Sequence, residues 1–301
     1  MNLNDAEKVV DIFYQTCFDA GDKCPLRQTK DKSVANIRKR VTALLRSLKD
    51  QPISAVYAGR IYLVTSLLVS ETLRTSLYDP IGSYESLAYK LADALAGNYT
   101  RILSSSLAMP VEQSSLCDAI PSTSSAAYTW ADEAAAGVIC GDSFATAGDR
   151  STLSWARDVV SEITTQSPTI GEPWTRLPLA CAGWKFNPPY AFKGPFGSPA
   201  PDASGANSSV PLAPLLILST KTDHATPLRN AYTLQGLHKG SAVVMQDSVG
   251  HCALLSSVSV CTYGIVRNYL LTGKVPANGT VCKADCVPGI PYKECPGLPA
   301  A

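Results

Sequence analysis

Three apolar runs of strand length, each followed by a segment of helical periodicity, constrain the fold of this chain more than any other feature. They are Gly137-Val-Ile-Cys140, Pro214-Leu-Leu-Ile-Leu218 and Ser241-Ala-Val-Val-Met245, and the helical patterns cover about 153–163, 228–237 and 258–271. Strands apolar on both faces and alternating with helices predict a parallel sheet covered by helices, an α/β architecture. Between the first two runs lies a Pro/Gly-rich stretch, 168–211, too long for a bare connector. Stretches of that length inside compact domains often carry function.

Before about residue 136 the texture is helical. Val34, Ile37, Val41, Leu44, Leu45 and Leu48 recur at helical spacing, with Arg38, Lys39 and Arg46 on the other side. A second helix is predicted over about 59–77, and a third from an N-cap at Ser83 to a C-cap at Gly97. Tyr62, Tyr84 and Tyr89 read as packing residues, and the Ser-rich stretch 104–125 as an irregular connection. The predicted division is therefore a helical unit over 1–133 and an α/β unit over 134–301.

Charge excludes some partners. Lys and Arg number 26 against 25 Asp and Glu, so no net field favours nucleic acid or an acidic membrane surface. The most apolar stretch, 61–69, is short and broken by Thr65 and Ser66, so no bilayer span is predicted. Ten cysteines and three glycosylation sequons, at Asn98, Asn207 and Asn278, lean towards a secreted chain with disulfides. Cys17 with Cys24, Cys261 with Cys282, and Cys140 with Cys181 are the expected pairs; Cys117, Cys252, Cys286 and Cys295 stay open. Zinc is the competing reading for Cys282-x3-Cys286, but no His pair or second CxxC accompanies it. The N-terminus, Met1-Asn-Leu-Asn-Asp-Ala-Glu-Lys, lacks the basic and apolar regions of an export signal, so the natural start is expected upstream.

Chemistry gathers at the ends of the last two strands. After 215–218 comes Ser219-Thr-Lys-Thr-Asp223-His-Ala-Thr-Pro227, and after 243–245 comes Gln246-Asp-Ser-Val-Gly250-His251-Cys252. In parallel sheets catalytic groups collect beyond the carboxyl ends of strands, so Asp223 and His251 can meet there. The carboxylate would accept the imidazole Nδ1 proton, fix the tautomer, and stabilise the imidazolium that forms when the ring takes a proton from a hydroxyl. A cap or turn role is the plainer reading for either residue alone. His224 and His238 lack such a context and read as surface or packing residues.

The run "PLLILSTKTDHATPLRNAYTL" followed by "GSAVVMQDSVGHCALLSSVSVCTYGIVRNYLLTGKVPANGTVC" resembles the C-terminal domain of the tripeptidyl aminopeptidase-like α/β hydrolases, secreted bacterial and fungal relatives of the prolyl aminopeptidases. "EAAAGVICGD" and "CAGWKFNPPYAFKGPF" resemble a later core strand and the Cys-Gly-Trp loop of that family, and "FYQTCFDAGDKC" the start of its helical lid. The resemblance implies an α/β-hydrolase fold: a lid over 1–133, then the C-terminal half of the core over 134–301. It makes Asp223 the triad acid and His251 the triad base.

In such folds the nucleophile comes first, on a Gly-x-Ser-x-Gly elbow that the family places before the lid. This chain opens on the lid, which implies a truncated chain or a degenerate paralogue. Gly141-Asp-Ser143-Phe-Ala145 offers Ser143 as a nucleophile in the right chain order. Against it, no strand precedes it to supply a second oxyanion donor, and a helix cap or loop serine is the plainer reading. By resemblance the complete enzyme cleaves peptide or amide bonds near a free N-terminus through an acyl-enzyme, without metal or organic cofactor. The alternatives are an esterase or lipase acting on small esters, and a non-catalytic secreted peptide-binding module. The chain alone is expected to be inactive unless a partner supplies the missing N-terminal half, and the strand around Val138 is expected to present an open edge.

Overall fold

The computed structural model describes residues 2–107, 131–142, 150–186, 189–190, 197, 214–293 and 295. A 3₁₀ turn, Asn2–Asp5, leads into α1 (Ala6–Asp19), and a second, Gly21–Lys23, precedes α2 (Val34–Asp50). A hairpin of β1 (Ile53–Tyr57) and β2 (Arg60–Val64) follows, then α3 (Ser66–Ser76), α4 (Pro80–Leu95) and α5 (Thr100–Leu107). Further helices are α6 (Ala131–Asp142), α7 (Leu153–Gln166), α8 (Gly171–Trp174) and α9 (Arg176–Ala180). The chain then alternates β3 (Leu216–Thr222), α10 (Leu228–Leu237), β4 (Ala242–Val249), α11 (Val260–Thr272) and β5 (Thr280–Lys283).

The helical stripe of α2 buries Ile37, Val41 and Leu48, as its spacing predicts. The helix expected over 59–77 is a strand and a helix instead. Ala58 and Gly59 both take positive φ, 48° and 75°, the conformation of a two-residue hairpin turn. Ile61-Tyr-Leu-Val64, rich in β-formers, therefore pairs back on β1, and Thr65 starts α3 by accepting a hydrogen bond from the Leu68 N–H (3.3 Å). The N-cap of α4 is Asp79, whose carboxylate accepts from the Gly82 N–H (3.1 Å), with Pro80 in the first turn; Ser83 sits inside the helix. Gly97 lies just past the helix end at φ 84°.

Phe13, Tyr14, Leu73, Leu77, Tyr84, Leu87 and Leu91 are fully buried at the centre of the helical core. Phe13 meets Tyr84 edge to face at 5.0 Å, a geometry that aromatic pairs prefer. Val249, the last residue of β4, and Ile290 belong to the same core. Glu7 of α1 clasps the turn between α7 and α8: its carboxylate accepts from Ser167 Oγ (2.6 Å), the Thr169 N–H (3.0 Å) and Thr169 Oγ1 (2.9 Å).

The strand expected at 137–140 is part of α6. A four-residue apolar run cannot be told from a helix by periodicity, and here Ala131, Ala134, Ala135 and Ala136 carry Val138-Ile-Cys140 into the helix they favour. The open edge expected at Val138 is thereby removed. The parallel sheet has the order β3-β4-β5, with Leu218 beside Val244 and Val244 beside Thr280. α10 crosses over from β3 to β4. β5 has no counterpart among the predicted strands.

The three expected disulfides are present, Cys17–Cys24, Cys140–Cys181 and Cys261–Cys282, with Cα separations of 5.3, 5.2 and 5.5 Å. Cys286 pairs with Cys295, and Cys252 is free and exposed. The zinc reading of Cys282-x3-Cys286 falls, because both thiols are engaged in separate disulfides. Cys117 lies outside the described residues. Among the described residues no helix is long and apolar enough to cross a membrane.

Candidate active site

β3 and β4 end side by side, and their last residues are stitched together. Thr220 Oγ1 donates to the Gly250 carbonyl (2.7 Å), and the Gly250 N–H donates to the Thr222 carbonyl (3.0 Å). Asp223 follows β3 directly and is 2% exposed. Its side chain folds the next residues into a turn: Oδ1 accepts from the Ala225 N–H (2.7 Å) and the Thr226 N–H (2.9 Å), and Oδ2 from Thr226 Oγ1 (2.8 Å). Pro227 then leads into α10.

The turn after β4 brings His251 to this carboxylate. Gly250 has φ 107°, and a Cβ there would lie 2.5 Å from Pro80 Cδ, so glycine is required both by conformation and by space. His251 Nδ1 lies 3.0 Å from Asp223 Oδ2 and 3.3 Å from Oδ1, with Thr226 Oγ1 also at 3.3 Å. The predicted pairing of Asp223 with His251 is therefore formed. Occupation of Nδ1 leaves Nε2 as the nitrogen for proton exchange with a hydroxyl.

The turn between α3 and α4 supports the imidazole from behind. The His251 N–H donates to the Tyr78 carbonyl (3.1 Å), and the two rings meet edge to face at 5.1 Å. Tyr78 also packs at 4.5 Å on His224, which is fully buried. No sequence signal ties Tyr78 or Pro80 to the site. Thr226 had one: a hydroxyl three residues after the acid, before a helix-starting proline.

Electrostatics keep the acid charged. Burial pushes the Asp223 carboxyl up, but the hydrogen bonds from Thr226 and Ala225 and the His251 imidazole outweigh it and hold the group below the usual carboxylate range. Burial drives His224 the other way, down to about 4, so this ring is neutral. Ser143 lies outside the described residues. The segment before it is α6 rather than the strand that a nucleophile elbow requires, which removes the structural ground for reading 141–145 as an elbow.

Comparison with known proteins bears on this segment. Residues 167–282 match the family model described as TAP-like protein. A tripeptidyl aminopeptidase of Streptomyces lividans is 31% identical over 77 residues, which take in 26% of this chain and 14% of that protein. The family-model match holds β3, β4, the turns after them and the Asp223–His251 pair. Residues 167–282 of this chain are thus similar to the TAP-like α/β hydrolases, and the chain spans only a small part of the length of the relative it matches.

Proposed function

We propose that Asp223 and His251 are the acid and base of a serine hydrolase that cleaves peptide or amide bonds near a free N-terminus. The contact between His251 Nδ1 and the buried, ionised Asp223 carboxylate carries this reading. With Nδ1–H held by Asp223, Nε2 takes the proton of a serine hydroxyl as it attacks the scissile carbonyl. The imidazolium then returns that proton to the leaving amine, and a water, activated by the same nitrogen, releases the acyl group.

Residues 1–133 act in this proposal as a lid over a core from 134 onwards, although α6 runs across that boundary. The nucleophile and oxyanion donors come from an N-terminal half that docks beside β3. Supporting this, β3 pairs on one side only among the described residues, and its Leu216, Ile217 and Leu218 are half-buried. The disulfides and the exposed sequon residues Asn98 and Asn278 support a secreted, glycosylated protein.

The test uses aminoacyl and tripeptidyl anilides, nitrophenyl esters and a fluorophosphonate label. The 1–301 chain alone is expected to turn over none of them, because base and acid without nucleophile and oxyanion donors do not suffice. The protein assembled with the missing half is expected to cleave the anilides and to lose about 10⁴-fold or more in His251→Ala. Turnover by 1–301 that disappears in both Ser143→Ala and His251→Ala would make Ser143 the nucleophile after all. Preference for esters would turn the reading to an esterase. Peptide binding by an assembled protein that never takes the label would replace catalysis with a binding module.

A further inference from the structure

A cavity of about 360 Å³ lies between α3, α6 and the α8–α9 segment, with Tyr78 in its wall. That volume sits at the lower end of the roughly 300–1,000 Å³ typical of small-molecule sites. Its charged lining is already satisfied. Arg74 Nε and Nη2 donate to the two carboxylate oxygens of Glu71 (2.6 and 2.7 Å), and Nη1 donates to Tyr78 Oη (3.2 Å). The guanidinium also packs over the rings of Trp174 (5.4 Å) and Tyr78 (5.5 Å). This pair presents no net charge to an occupant, and the remaining cation, Arg176, is exposed, so its field is screened by water.

The other walls are apolar. Ile139, Pro173 and Leu177 face the space, and the short side chain of Ala180 leaves it open. The ring of Trp174, covered by the Arg74 guanidinium, completes the wall. Tyr78 is the wall shared with the acid–base pair, since its ring packs on His251 and its carbonyl holds the His251 N–H.

We propose that this cavity receives an apolar side chain of the peptide substrate, with Tyr78 setting its distance from His251. The inference rests on the hydrolase reading for the word substrate, but binding tests it without turnover. The 1–301 chain is titrated with phenylalaninamide, leucinamide and glycinamide while the imidazole signals of its three histidines are followed by NMR. Phenylalaninamide and leucinamide are expected to shift the His251 signal saturably. Glycinamide, which shares the amine and amide but has no side chain, is expected to bind at least about tenfold more weakly, a modest return for burying a Leu or Phe side chain.

Leu177→Trp and Ala180→Phe, at exposed positions, are expected to fill the space and weaken leucinamide binding by at least about tenfold with the thermal midpoint retained. Equal binding of the three amides, no saturable shift, or full affinity in both filled variants overturns the proposal. If a filled variant fails to fold, the glycinamide comparison on the unaltered chain decides alone. Selective binding without turnover in the assembled protein removes the hydrolase reading and leaves the pocket; turnover without selectivity removes the pocket only.

Discussion

Asp223 makes its hydrogen bonds with one purpose at each oxygen: Oδ1 closes the turn that starts α10, and Oδ2 meets Thr226 and His251. Asp223→Asn keeps an acceptor for the turn but loses the charge and the second acceptor. It is expected to cost about 1.5–3 kcal/mol in urea unfolding, the range for a hydrogen bond to a charged group. An unchanged midpoint would mean that the carboxylate is not integral to the fold. His224 sets a second expectation at the residue scale. Its native pKa, about 4, lies below the ordinary 6.5, so between these values the unfolded chain binds a proton that the native chain refuses. Stability contributed by the neutral ring is complete above about pH 6.5 and is lost as pH falls towards about 4, amounting to roughly 3 kcal/mol for a shift of this size. His224→Phe keeps a ring against Tyr78 and should flatten that part of the pH–stability curve. Parallel curves for both proteins would exclude His224 as the source.

At the scale of elements, the contact between the start of α4 and the turn after β4 positions the His251 imidazole. Gly250 leaves no room for a Cβ beside Pro80 and Ser256, and the His251 N–H donates to the Tyr78 carbonyl, so the helical part of the chain holds this turn as directly as the sheet does. Gly250→Ala adds a Cβ to a backbone at φ 107° with Pro80 Cδ 2.5 Å away. Strain and overpacking together are expected to cost about 3 kcal/mol or more in thermal or urea unfolding. Gly273→Ala, at the left-handed C-cap of α11 with φ 68°, meets the conformational penalty and should cost only about 1 kcal/mol. Equal costs at the two positions would show that the Pro80 contact yields without resistance.

The whole molecule leaves apolar surface around its sheet. α11 buries only Thr262, while Val260, Leu270 and Leu271 are 75%, 76% and 70% exposed. Parallel sheets are ordinarily covered on both faces, and exposed apolar helices beside a strand that pairs on one side favour association. The 1–301 chain is therefore expected to self-associate in sedimentation velocity experiments. Leu270→Lys with Leu271→Lys should reduce that association and leave the thermal midpoint within about 0.5 kcal/mol in equivalent stability, as for surface substitutions. Association unchanged by both charges would place the contact elsewhere.

Local pattern was enough for much of this molecule. Whereas the Cys140–Cys181 pair forms from a helix rather than from the expected strand end, the stripe of α2, the span of α10, the cores of β3 and β4, and the Cys17–Cys24 and Cys261–Cys282 disulfides follow from spacing, turn residues and proximity along the chain. So does the meeting of Asp223 and His251, because consecutive parallel strands deliver their following turns to one edge. Such features are decided by near neighbours or by a single crossover, and a sequence carries them openly. Where two local signals competed, the strings of letters misled: Val138-Ile-Cys140 has strand residues but follows a run of alanines, and Ile61-Tyr-Leu-Val64 continues into a true helix. Only tertiary structure decided that Glu7 clasps Ser167 and Thr169, that β5 completes the sheet, and that Tyr78 stands between the cavity and His251. Those contacts join segments far apart in the chain, and what fixes them is complementary shape and burial, which leave no period or spacing in either partner taken alone.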